Sequence, residues 1–143
     1  MNLETRKPEE ELGNRELTER VIGAAIRVHR ELGPGFLESI YEEALAIELA
    51  HLGIGFQRQK PVPIFYRGHA VGEHRVDLVI ENVVVVELKA IVAFENIHFA
   101  VLRSHLKALG LSDALLLNFA GTKLAIKRVG RELHSRADAG DII

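Results

Sequence analysis

The chain has no cysteine, no tryptophan and a single methionine among its 143 residues. The absence of cysteine excludes disulfides, thiolate zinc sites and cysteine nucleophiles together. Any metal must then be held by oxygen or imidazole, and a carboxylate-dominated set favours magnesium or manganese. Aromatics are sparse, six Phe and two Tyr, which argues against a base-stacking platform. No apolar run approaches the roughly 20 residues of a membrane span. Residues 1–16 are charged and lack the apolar core of a secretory leader. The expectation is a soluble, cytoplasmic protein with no membrane partner. Positive charge is not in excess either. The net charge of −2 and pI of about 6.4 count against strong sequence-independent nucleic-acid binding, although a local basic patch is compatible with them.

What remains is ordinary globular material, 48% apolar and 27% charged, long enough for one domain with a real core. Residues 1–14, which include Pro8 and Gly13, read as a flexible lead-in. Residues 15–133 read as a single domain and 134–143 as a polar tail. Apolar residues at helical spacing predict a helix from Leu17 to Leu32, stopped by Gly33-Pro34-Gly35. A second helix runs from about Leu37 to Leu52 and is closed by Gly53. Short strand-like runs follow: Gly55–Lys60 with Val62–Tyr66, Val71–Ile80 and Val83–Ala90. Pro61 and Pro63 confine the first of these to an edge or a bulged segment, and Arg67-Gly68-His69 is a turn candidate. A helix from Glu95 to Leu109 precedes two strands, Ala114–Phe119 and Lys123–Val129. The order α-α-β-β-β-α-β-β predicts an α/β sandwich, one mixed β-sheet with helices on its faces.

Chemistry concentrates between Arg75 and Lys89. Asp77 sits in an apolar strand pattern, and the next apolar strand ends in Glu87-Leu88-Lys89. An ionised side chain in such a setting costs on the order of several kcal/mol to desolvate unless it is paired or binds a metal. Two arrangements satisfy the charges. In one, Asp77 pairs with Arg75 or a neighbouring base and Glu87 with Lys89, as edge ion pairs. In the other, Asp77 and Glu87 share a divalent ion that activates water at a phosphodiester, and Lys89 stabilises the developing negative charge. The cation arrangement requires both carboxylates on one face. A two-residue Glu81-Asn82 loop would set Asp77 opposite Val86 and turn Glu87 away, so an odd loop or a bulge is predicted.

The second helix opens with Glu38, Tyr41 and Glu42, spaced to share one face. The acids suit a helix N-terminus and Tyr41 suits a core, but the same face could turn a carboxylate towards the sheet. Gly35-x-x-Glu38-x-x-Tyr41 resembles the signature of the GxxExxY proteins, a branch of the PD-(D/E)XK nuclease superfamily. The resemblance runs from about Leu17 to Val129 and takes in Gln59-Lys60-Pro61, Gly72-Glu73, Glu87-Leu88-Lys89-Ala90 and Leu106-Lys107-Ala108. It implies a restriction-endonuclease-like sandwich with an αβββαβ core. It also implies Asp77, Glu87 and Lys89 as the catalytic set, with Mg2+ or Mn2+ on the carboxylates and a helical glutamate as supporting acid and third metal ligand. Glu38 is preferred for that role and Glu42 is the runner-up. Relatives often carry Gln and Tyr on the following helix, where this chain has Val101 and His105. Arg103 and His105 are the residues that could substitute.

The histidines show no metal-ligand spacing. His29 lies among charges and reads as a surface residue. His74, three positions from Asp77 on a strand, reads as facing the opposite way. His98 and His105 lie on one side of a helix and, with Tyr41 and Glu42, are candidate supporting residues. Gln59 and Lys60 could touch a phosphate. The expectation is a metal-dependent nuclease acting on nucleic acid, DNA before RNA, with a homodimer compatible. The rival is a catalytically impaired module of the same fold that binds nucleic acid or protein.

Overall fold

A strand whose side chains are apolar at every position needs cover on both faces, and the centre of this protein is built that way. Val84, Val85 and Val86 are all fully buried. The structure, a computed structural model, describes residues 8–131. Its elements are α1 (Pro8–Leu32), α2 (Glu38–His51), β1 (Phe56–Tyr66), β2 (His69–Ile80), β3 (Val84–Lys89), α3 (Asn96–Leu109), β4 (Asp113–Asn118) and β5 (Ala125–Gly130). The five strands lie in the order β1-β2-β3-β4-β5. All neighbours are antiparallel except β3 and β4, which are parallel. A parallel pair needs a crossover, and α3 supplies it. This is the mixed-sheet α/β sandwich expected from the element order.

Helices α1 and α2 cover one face, where Val21, Ala25, Tyr41 and Leu45 meet Leu78, Val86, Leu88 and Leu117. Helix α3 covers the other, where Leu102 and Leu106 meet Val79, Val85 and Leu116. The proline-bearing strand is a single β1 at the sheet edge. Among the described residues, no helix is long and apolar enough to cross a membrane.

Two expectations need correction. Helix α1 begins at Pro8, so residues 8–14 of the expected lead-in are helical, while residues 1–7 and the expected tail at 134–143 lie outside the described residues. A proline fits the first helical position, and a glycine inside a helix costs only about 1 kcal/mol. His29 is buried, not on the surface. It continues the i, i+4, i+8 stripe of Val21 and Ala25, and its Nε2 lies 3.2 Å from the Phe119 carbonyl and 3.0 Å from that of Gly121. Since carbonyls only accept, those partners assign the proton to Nε2.

Tyr41 holds the α1–α2 connection. Its ring stacks on Phe119 at 4.5 Å. Its hydroxyl donates to the Gly33 carbonyl at 2.6 Å and accepts from the Phe36 N–H at 3.2 Å. Tyr41→Phe removes both bonds and keeps the packing, so it should cost about 1–3 kcal/mol. Urea denaturation of the two proteins measures that difference.

Candidate active site at the parting of two strands

The β2–β3 turn has three residues, because Ile80 pairs with Val84. Glu81 and Asn82 adopt positive φ (51° and 60°), and the Val83 N–H returns to the Ile80 carbonyl at 2.9 Å. This odd loop is what the carboxylates require: continued past Leu78–Val86, its register sets Asp77 beside Glu87. The ladder does not continue, however. Asp77 Oδ2 accepts the Leu88 N–H at 2.8 Å, so a side chain takes a donor that a sheet would give to a carbonyl. Val76 packs on the α3 side and Leu78 on the α1–α2 side, so side-chain alternation slips at Asp77. Across the hairpin, Gln59 has φ 50° and is left out of the β1–β2 pairing.

The strands part here, and the carboxylates occupy the gap. Burial first, and then the charge of Glu87, push the Asp77 carboxyl up to about 6 from an ordinary 3.8, while the Leu88 N–H and Gln59 pull it the other way. Glu87 is only 9% exposed. Its Oε1 is buried without a hydrogen-bond partner, as is His105 Nδ1, and the two lie 3.4 Å apart. Buried carboxylate oxygens are almost always satisfied, so this one marks a place for a cation or a donor. Lys89 is half-buried and makes no ion pair or hydrogen bond with any described residue. With Glu87, His98 and Val101 it lines a cavity of about 60 Å³, room for roughly two waters. The alternative ion pairs of Asp77 with Arg75 and of Glu87 with Lys89 are not formed among the described residues. Arg75 instead donates to the Gln59 carbonyl at 3.0 Å and lies 3.8 Å from Glu73.

The two helical acids take different places. Glu38, exposed at the start of α2, reaches the end of β3, where its Oε2 accepts the Ala90 N–H at 3.3 Å. Glu42 is buried and neutralised by Arg58 at 3.0 Å. It accepts from Gln59 Nε2 at 2.8 Å, and the same amide donates to Asp77 Oδ1 at 3.3 Å. Glu42 thus steadies Asp77 through Gln59. Tyr41 points into the core and away from the carboxylates. His98 Nδ1 accepts the Glu95 N–H at 2.8 Å and caps α3. His105 is buried and reaches His74 Nδ1 from its Nε2 at 2.9 Å. His74 therefore belongs on the α3 side and is tied to Glu87 through His105. The parity argument that separated it from the site fails because alternation slips at Asp77. Arg103, the other substitute on α3, has its Nη2 buried without a partner.

The Gln59 latch had no clear signal in the sequence. Arg67 and Gly68 form a tight turn with positive φ (49° and 78°). Only the register shift between Ile64 and Phe65, invisible in the sequence, brings Gln59 opposite Asp77. Among the described residues, no three or more His, Asp or Glu side chains form a closed metal cage. Magnesium rarely needs one, since it keeps several waters and takes one or two carboxylates plus a substrate phosphate. Asp77 and the unsatisfied Glu87 oxygen fit that donor set.

Residues 15–129 match the PD-(D/E)XK nuclease superfamily, and the chain belongs to it. No curated protein gives a match. A solved structure described as "Crystal structure of SSO0001" shares 14% identity at a TM-score of 0.44, over 95% of this chain and 83% of that one.

A carboxyl raised from 3.8 to about 6 holds its proton more tightly in the folded than in the unfolded chain. Its ionisation therefore destabilises the fold as pH rises from about 4 to about 6, by about 3 kcal/mol at most. Without divalent ions, Asp77→Asn should match the wild type near pH 4 and exceed it in stability above pH 6. Urea denaturation across that pH range checks the sign; equal stability at pH 7 would remove the basis for the raised value.

Proposed function

We propose that this protein is a metal-dependent nuclease of the GxxExxY type that hydrolyses phosphodiester bonds in nucleic acid, DNA before RNA. The observation that carries the reading is the buried Glu87 oxygen without a hydrogen-bond partner among the described residues, beside an Asp77 carboxyl raised by burial and then by the charge of Glu87. Asp77 and Glu87 are the metal ligands, with Glu38 as a third acid at the open side. Bound Mg2+ or Mn2+ would neutralise the pair, polarise a phosphoryl oxygen and lower the pKa of a water.

The chain's own residues do the rest. The Leu88 N–H and Gln59 fix both oxygens of Asp77, so little reorganisation is needed when a ligand arrives. Lys89 has no partner among the described residues to give up and borders the small cavity beside Glu87. Its ammonium can orient a water there and donate to the charge that builds on the phosphoryl oxygens. Glu38 has one oxygen committed to Ala90, and its other oxygen is the one it would offer to the metal.

One observation favours a second reading. His105, where relatives carry Tyr, lies 3.4 Å from Glu87, and an imidazolium there would serve as the counter-ion of Glu87 in place of a metal. Such a protein would keep the fold and bind nucleic acid or a protein without cutting.

Titration with Mg2+ or Mn2+ should raise the melting temperature of the wild type and leave Asp77→Ala unmoved. Lys89→Ala should keep the metal response and lose about a hundredfold or more in the cleavage rate of single- or double-stranded DNA or RNA. A wild type that shows no metal response and cuts none of these substrates would overturn the nuclease reading and leave the counter-ion reading in its place.

A further inference from the structure

The β1–β2 hairpin outgrows the sheet it belongs to. Strand β2 pairs with β3 only through Leu78, Val79 and Ile80, yet its pairing with β1 continues to Tyr66 and His69. Val62 anchors the arm against the α3 layer. Beyond it, no residue of either strand is buried before Val76.

The arm's chemistry is unlike that of the rest of the chain. Phe65, Tyr66 and Val71 at its tip are 62%, 65% and 61% exposed, an apolar cluster that contributes nothing to a core. Along it lie Lys60, Arg67 and Arg75, with His69 and His74, against a single acid, Glu73. The whole chain carries −2. Folding thus gathers two of the few aromatics and a local positive excess on one projection, which the overall composition conceals.

We propose that this arm is a grip for single-stranded nucleic acid. Phe65 and Tyr66 stack on unpaired bases, Lys60, Arg67 and Arg75 hold phosphates, and the strand is led down the arm to Asp77 at its base. Exposed rings can stack on bases whose faces are free, whereas the bases of a duplex already stack on each other. Charge complementarity to a polyanion and continuity of β2 with the Asp77 site together choose this occupant. The tip lies eight residues from Asp77, roughly 27 Å at strand spacing, at most about eight nucleotides at the 3.4 Å rise of a duplex strand and fewer for an extended one. The grip rests on the reading of the site as one that acts on nucleic acid.

The test is fluorescence anisotropy with labelled oligothymidylate, oligouridylate and a duplex, each of about 16 nucleotides or base pairs, twice the span above, in chelator without divalent ions. Phe65→Ala/Tyr66→Ala should weaken binding of at least one single strand about tenfold or more and that of the duplex far less. Its melting temperature should stay within a few degrees of wild type, since both side chains are exposed. Arg67→Gln should lessen the salt dependence of single-strand affinity by about 0.7 in the log–log slope. Equal losses on duplex and single strand, an unchanged affinity in the double variant, or no binding of any single strand by the wild type would each overturn the grip. Metal-dependent cleavage and the Asp77 metal response do not involve the tip. The nuclease reading therefore stands or falls separately from the arm.

Discussion

Two carboxylates forced into one low-dielectric gap are the constraint on which the rest of the site depends. Burial of Asp77, and then the charge of Glu87 beside it, lift the Asp77 carboxyl to about 6. A protein whose interest was stability alone would fill that gap with valines, as it does two residues away. The surroundings instead hold the pair in place: a backbone N–H and an amide on Asp77, and a helix-borne imidazole beside Glu87. One buried oxygen of Glu87 is left without a hydrogen bond among the described residues. That pattern is expected of a site that stores unfavourable electrostatics for a cation to relieve.

The architecture supplies the rigidity that such a site needs. Glu87 and Lys89 project from a strand paired along its length with β4 and buried on both faces, so their positions follow from the core. Asp77 comes from β2 at the point where it leaves β3 for the long arm it forms with β1. Near the base of that arm the buried Glu42, paired with the exposed Arg58, accepts from Gln59 and through it ties Asp77 to helix α2. Tyr41 and Phe119 lock α2 against the sheet, which gives the GxxExxY pattern a physical meaning: Gly33 and Gly35 turn the chain with positive φ, Tyr41 seals the turn, and Glu38 is delivered to the end of β3.

Much of this was legible in the residues. The unbroken Val83–Val86 run announced a strand covered on both faces, the prolines placed β1 at an edge, and the requirement for one shared face demanded the odd loop that Glu81, Asn82 and Val83 form. Local patterns sufficed because each depends on neighbours in sequence. What escaped depends on contacts across the fold. His29 reads as polar among charges until its stripe with Val21 and Ala25 is followed to the Phe119 and Gly121 carbonyls. The slip at Asp77 and the register shift near Phe65 are single-residue events that no periodicity records, and they relocate His74 and create the Gln59 latch. The helix through residues 8–14 overrides a composition that suggested loose chain.

The central claim is that the raised Asp77 carboxyl and the open Glu87 oxygen form one cation-demanding unit. Carboxyl-carbon NMR of Asp77 across pH measures it directly. Without divalent ions the midpoint should lie near 6, and saturating Mg2+ should bring it below the ordinary 3.8. A midpoint near 3.8 that magnesium does not move would contradict the claim.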